Sequence, residues 1–137
     1  LDRGWRQAEG LKAVTAEARD LFRRPLLPDE LNRFDAIVLD PPPFARSRKA
    51  LEAARRAYKE INLRGFKLLR PGGRLFTFSC SAQMTRADFE ALIGEAAADA
   101  GRFVRVIERR GPPADHPSLL TAPETDYLKA LFLEVDR

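Results

Sequence analysis

Two short segments carry side chains with reactive chemistry. Cys80 is the sole cysteine among 137 residues and sits between Ser79 and Ser81, directly after the apolar stretch Arg74-Leu75-Phe76-Thr77-Phe78. Asp40 is followed by Pro41 and Pro42 at the end of a second apolar run, Asp35-Ala36-Ile37-Val38-Leu39. An acid followed by two prolines makes a stiff loop, because each proline fixes φ and restricts the residue before it. Such a loop can hold a carboxylate and a carbonyl against a planar ligand. A thiolate can add to carbon 6 of a pyrimidine, make carbon 5 nucleophilic, and leave again once carbon 5 has gained a methyl group and lost its proton. The thiolate is the reactive form, so a neighbouring cation would favour this chemistry. The plainer readings are a proline-rich turn that ends a strand and a buried structural cysteine.

Both segments must be positioned by the elements that precede them. The run 35–39 is short and almost continuously apolar, the pattern of a strand buried on both faces of a parallel sheet. From Lys49 to Leu69 the apolar residues Leu51, Ala54, Tyr58, Ile61 and Leu68 recur at helical spacing, and Pro71-Gly72-Gly73 is expected to stop that helix. Residues 74–79 read as the next strand. Thr85 and Asp88 resemble a capping box ahead of a helical stripe, Phe89, Leu92, Ile93 and Ala96, that runs to Gly101. Strands are expected at 103–108 and 127–135, separated by a proline-rich loop over 111–125. Ahead of all this, residues 2–9 read as the tail of a helix and 11–18 as a short strand. The alternation of strands and helices predicts an α/β fold. In open α/β sheets ligands bind beyond the carboxyl ends of the strands, where both reactive segments lie.

Composition narrows the class. Hydrophobic residues are 45% and charged residues 32% of the chain, a globular balance. No apolar run approaches the roughly 18 residues of a membrane span, and the first residues carry no signal-peptide core, so no membrane association is expected and cytoplasm is the default compartment. One cysteine and one histidine exclude a disulfide framework and a Cys/His metal cluster built from this chain alone, so no metal is expected. The absence of an initiator methionine fits a processed or excised piece. A homodimer is compatible with the sequence but not indicated by it.

The net charge of +4 hides an asymmetry. Between Phe44 and Arg74 ten basic residues face only Glu52 and Glu60, a local charge of +8 that leaves −4 on the rest. This block reads either as a polyanion-facing surface or as a solvated helix face. Arg46, Arg48 and Lys49 are the candidate phosphate contacts. Phe44 is placed to stack on a base or to pack in the core. Lys59 and Asn62, on the helix after the Asp40 loop, are candidates for substrate contact or helix packing. His116 is a candidate for orienting substrate or shuttling a proton, against a structural role in a polar loop.

Taken together, several strings in a fixed order point to one family. Phe34-Asp35-Ala36-Ile37-Val38-Leu39-Asp40-Pro41-Pro42-Pro43-Phe44, Tyr58-Lys59-Glu60-Ile61-Asn62-Leu63, Leu68-Leu69-Arg70-Pro71-Gly72-Gly73, Thr77-Phe78-Ser79-Cys80-Ser81, Ala114-Asp115-His116-Pro117 and Pro123-Glu124-Thr125-Asp126-Tyr127-Leu128-Lys129 follow one another along the chain. This resembles the bacterial 23S ribosomal RNA cytosine-5 methyltransferases that carry an amino-terminal PUA domain, over about residues 34–135. The first 34 residues resemble instead the cofactor domain of RNA uracil-5 methyltransferases.

The resemblance implies a Rossmann-like class I methyltransferase fold, of which this chain would be the carboxy-terminal half of the sheet. S-adenosylmethionine is implied as cofactor and ribosomal RNA as partner. Cys80 would be the nucleophile. Asp40, Pro41 and Pro42 would frame the target base and the methyl donor, and Asp20 would contact the cofactor. The chain has no Gly-x-Gly turn, so over 1–137 it is expected to be a partial catalytic domain that lacks the glycine-rich motif and any PUA domain. It would then be inactive alone and leave a central strand edge unpaired. Two other readings stay open: methylation of a base amine or ring nitrogen, which also uses Asp-Pro-Pro loops but needs no thiol, and a non-catalytic RNA-binding fragment that uses the basic block.

Overall fold

The structure is a computed structural model that describes residues 14–44 and 48–136. Arg46 and the expected helix tail at 2–9 lie outside the described residues, as do the side chain of Arg48 and the first part of the expected strand at 11–18.

Four strands form one mixed sheet in the order β1-β2-β4-β3. They are β1, Phe34–Leu39; β2, Leu69–Ser79; β3, Val104–Arg110; and β4, Lys129–Val135. Helix α1, Leu51–Leu68, connects β1 to β2, and helix α2, Arg86–Asp99, connects β2 to β3. Strands β1 and β2 are parallel; β4 runs antiparallel to both β2 and β3.

Each element follows from local chemistry. The apolar stripe of α1 lies against the sheet, and Gly65 lets the helix approach closely: a Cβ there would stand 3.1 Å from Leu39 Cδ1 and 3.3 Å from Leu75 Cδ1. The expected cap of α2 is present, with the Thr85 hydroxyl accepting from the Asp88 N–H at 3.1 Å and donating to the Asp88 carboxylate at 2.7 Å. The helix ends at Gly101, whose φ of +68° permits the bond from Arg102 N–H to the Ala97 carbonyl at 2.9 Å.

The two helices pack against each other on one face of the sheet. Between them and the sheet lies the core, with Tyr58, Phe66, Leu69, Leu75, Met84, Phe89, Leu131, Leu133 and Val135 all at most 2% exposed. The opposite face carries Phe76 and Phe78, both packed edge-on against Phe132, at 5.0 and 6.3 Å.

Three expectations are corrected. Residues 14–18 form no strand; they lead into a turn at 21–24, tied down by Arg64, which donates to the Arg24 carbonyl at 2.6 Å. Pro71-Gly72-Gly73 does not stop the helix. The helix already ends at Leu68, where buried Leu69 begins β2, and the Pro-Gly-Gly lies within that strand. Pairing jumps there from Phe34↔Leu69 to Ala36↔Arg74, so residues 70–73 bulge out of the ladder. Finally, β1 is not buried on both faces. It is a sheet edge among the described residues, with Val38 66% exposed.

Candidate active site

The parallel register of β1 and β2, with Leu39 opposite Thr77, brings both strand ends to the same rim of the sheet. Asp40 leaves β1 exposed, Pro41 is half-buried and Pro42 exposed. Two residues past the paired Thr77, β2 ends at buried Ser79, and half-buried Cys80 turns toward the first loop. The Cys80 sulfur then stands 4.0 Å from the Pro41 carbonyl oxygen. The two segments whose side chains could react are therefore neighbours in space, although 39 residues apart in the chain.

An aromatic column supports this rim from below. Phe44 packs on Tyr58 at 4.7 Å, Tyr58 on Phe89 at 6.0 Å, and Phe22 caps the column against Phe44 at 6.0 Å. Phe44 thus packs inward against Tyr58. Burial pushes the Tyr58 phenol above its ordinary value. Negative charge at Cys80 and Asp40 adds to this, while Ser79 and the Phe44 backbone work against it. The phenol therefore senses both reactive segments.

A third element reaches the same place. Lys129 opens β4 opposite Ser79, is 4% exposed, and donates from its ammonium to the Ser81 carbonyl at 2.6 Å. The Met84 N–H donates to that same carbonyl at 3.2 Å. Sequence reasoning did not single out Lys129 as a neighbour of these segments. The available signal was a lysine heading the otherwise apolar run Lys129-Ala130-Leu131-Phe132-Leu133.

The remaining candidates scatter. Asp20 is exposed and caps its own turn, accepting from the Phe22 and Arg23 N–H groups at 3.0 and 3.1 Å. Those bonds hold its carboxyl below the usual value. Asn62 is 1% exposed and donates to the Tyr58 carbonyl at 2.8 Å, within its own helix. Lys59 is spanned between Glu95 at 3.1 Å and Asp99 at 2.9 Å. Lys49 is exposed in the short 3-10 turn Arg48–Ala50 ahead of α1, and His116 is exposed in the 111–128 loop.

Much of the basic block is discharged within the fold. Arg55 pairs with Asp88, Lys59 with Glu95 and Asp99, Arg64 with Glu60, Arg70 with Asp35 and Arg74 with Glu134. A hollow of ≈ 620 Å³, lined by Asn32, Lys67, Gly101 and Arg102 among others, lies by the starts of β1 and β3, at the end of the sheet away from Cys80. Among the described residues no group of three or more His, Cys, Asp or Glu could hold a metal ion, and no helix is long and apolar enough to cross a membrane.

The chain is 46% identical over 107 residues to the ribosomal RNA large subunit methyltransferase I of Vibrio cholerae, covering 78% of this chain and 27% of that protein. It is 48% identical over 107 residues to the protein of the same name from an Enterobacter species, with the same coverage. The chain thus spans about a quarter of the length of these curated relatives. No protein-family model matches it. Among solved structures, the methyltransferase SMU.776, crystallised with SAH, superimposes with a TM-score of 0.62 at 22% identity, over 75% of this chain and 26% of that one. The α/β sheet is therefore that of the Rossmann-like methyltransferase fold.

Proposed function

We propose that this chain is the nucleophile-bearing, carboxy-terminal part of an S-adenosylmethionine-dependent RNA methyltransferase. Its target is carbon 5 of a pyrimidine, a cytosine of 23S ribosomal RNA, and it acts in the cytoplasm. One observation carries the reading: Cys80 lies 4.0 Å from the carbonyl of Pro41 in the Asp40-Pro41-Pro42 loop. The likeness to two proteins named as ribosomal RNA large subunit methyltransferases supports the substrate class.

In this reading Asp40, Pro41 and Pro42 form one wall for base and donor, beside β1, the edge strand among the described residues. Asp20 caps its own turn through Oδ1, and its exposed carboxylate keeps Oδ2 for the cofactor contact this reading assigns to it. The glycine-rich turn and a PUA domain are assigned to parts of the protein outside this chain. S-adenosylmethionine, when bound, supplies the electrophilic methyl group that carbon 5 accepts.

The chain's own residues prepare that acceptor. The Cys80 thiolate gives an electron pair to carbon 6, forming an S–C bond, and the displaced ring π pair makes carbon 5 nucleophilic. Once carbon 5 is methylated, its proton passes to a base, the C5–C6 double bond reforms and the thiolate departs. Asp40 and the Pro41 carbonyl hold the ring in register with the sulfur.

The test uses the full-length protein. Cys80→Ala should abolish methylation at carbon 5, and RNA carrying 5-fluorocytosine should trap wild-type protein as a covalent adduct. Undiminished turnover by the variant overturns the reading. Methylation at a ring or exocyclic nitrogen without an adduct favours the thiol-free alternative.

A further inference from the structure

We propose that Lys129 is the positioning residue of the Cys80 loop: its buried ammonium anchors the Ser81 carbonyl and supplies the positive field that favours the Cys80 thiolate. This inference rests on the reading of Cys80 as a nucleophile, but it concerns a different side chain and a different property.

The geometry is specific. Antiparallel pairing sets Lys129 opposite Ser79, the last residue of β2, and its side chain reaches two residues further to Ser81 O at 2.6 Å. The bond therefore brackets Cys80 between the sheet and a fixed carbonyl. Burying an ammonium is costly unless it is offset. A lysine at a strand start could instead direct its ammonium into solvent, as lysines commonly do. Here it is 4% exposed. Burial pulls the ammonium below its ordinary value and Arg86 adds to this, while Asp126 and Cys80 counter both. The bond to the Ser81 carbonyl, one residue beyond Cys80, places this buried charge beside the Cys80 loop.

The charged and titratable groups around the sulfur come from each neighbouring element. Asp40 approaches from the end of β1 and the Tyr58 phenol from α1. Lys129 comes from β4, with Arg86 of α2 and Asp126 behind it. Asp40 disfavours a second negative charge nearby. Lys129 is the cation bonded directly to the Cys80 loop, and it opposes Asp40.

Because Cys80 is the sole cysteine, its alkylation reads the site without RNA or methyl donor. In that reaction the thiolate displaces iodide and forms an S–C bond. The measured quantity is the rate with anionic iodoacetate divided by the rate with neutral iodoacetamide. A positive field raises this ratio, whereas a purely structural anchor leaves it unchanged.

The ratio should be about threefold higher in the folded chain than in the same chain unfolded by urea. Lys129→Met should slow iodoacetamide about fivefold and return the ratio to its unfolded value. Lys129→Arg should keep both within about twofold. Equal ratios in folded and urea-unfolded wild-type chain overturn the proposal, and this comparison decides the matter if Lys129→Met does not fold. An unchanged ratio in a folded Lys129→Met variant overturns it as well. Loss of methylation in Cys80→Ala bears on the nucleophile alone, so the two readings fail separately.

Discussion

The Cys80 sulfur stands 4.0 Å from the carbonyl oxygen of Pro41, across the gap between the ends of two parallel strands. The relationship depends on register. Leu39 pairs with Thr77, so β1 ends level with a residue two short of the β2 terminus. The Pro41 carbonyl is joined to the Pro42 nitrogen, which carries no hydrogen, so this peptide presents only an acceptor toward the sulfur. A shift of one residue would turn Thr77 and Ser79 from the helix face to the other face and remove Cys80 from the loop.

Asp40 should therefore matter for chemistry and little for folding. It is exposed at the rim. In the full-length protein Asp40→Asn should lower methylation about 10²-fold through loss of substrate positioning, with the urea midpoint nearly unchanged. Retention of more than about half the activity would remove Asp40 from the site.

Lys59 should behave as a lace between helices and not as an RNA contact. Its hydrogen bonds to Asp99 and Glu95 raise its pKa. Exposed pairs of this kind contribute little, so Lys59→Ala should lower the thermal midpoint by only about 1–3 °C. Affinity of the chain for a 23S RNA fragment, measured at fixed salt, should stay within about twofold. A several-fold fall in affinity with unchanged stability would restore the substrate-contact reading of Lys59.

That example shows where reading the sequence stops. Local patterning was enough for β1, α1, the Thr85 cap and β4, because each depends on neighbours within a few residues. The +8 block was visible, but its neutralisation was not: Arg55 and Lys59 find Asp88, Glu95 and Asp99 more than thirty residues away. Lys129 was obscured for the same reason, since its carbonyl partner lies 48 residues earlier. The β1 run was legible as a strand, but not the exposure of Val38 at the edge of the sheet formed by the described residues. Cys80 and Asp40 stood out because strand ends are predictable, whereas their mutual distance required the register.

Two glycines should respond differently to alanine. At Gly73 a Cβ would lie 2.9 Å from the Arg70 carbonyl and 3.2 Å from the Asp35 carbonyl, so backbone must move. Gly73→Ala should cost about 1–3 kcal/mol in urea unfolding. At Gly65 the neighbours are the Leu39 and Leu75 methyl groups, which can give by a few tenths of an ångström. The gain in helix propensity, about 1 kcal/mol, offsets that crowding and should leave Gly65→Ala within about 1 kcal/mol of wild type. Equal losses at both positions would contradict the close approach at the 70–73 bulge.

Acid sensitivity should begin at the start of α2. The Thr85 hydroxyl, then the Arg55 guanidinium at 3.2 Å, hold the Asp88 carboxyl below its ordinary value of 3.8. The folded state thus prefers the ionised form more strongly than the unfolded chain does. Its stabilising contribution is complete above the unfolded value and is lost as pH falls through the lower folded one. Asp88→Asn removes the titrating group while the Thr85 hydroxyl can still accept from the backbone N–H of residue 88. The variant should be less stable than wild type at pH 7, and the difference should shrink as pH falls below about 4. Thermal melts from pH 7 to pH 2 check this, and a wild-type-to-variant gap that stays constant across that range would show that the Arg55–Asp88 contact contributes nothing to acid stability.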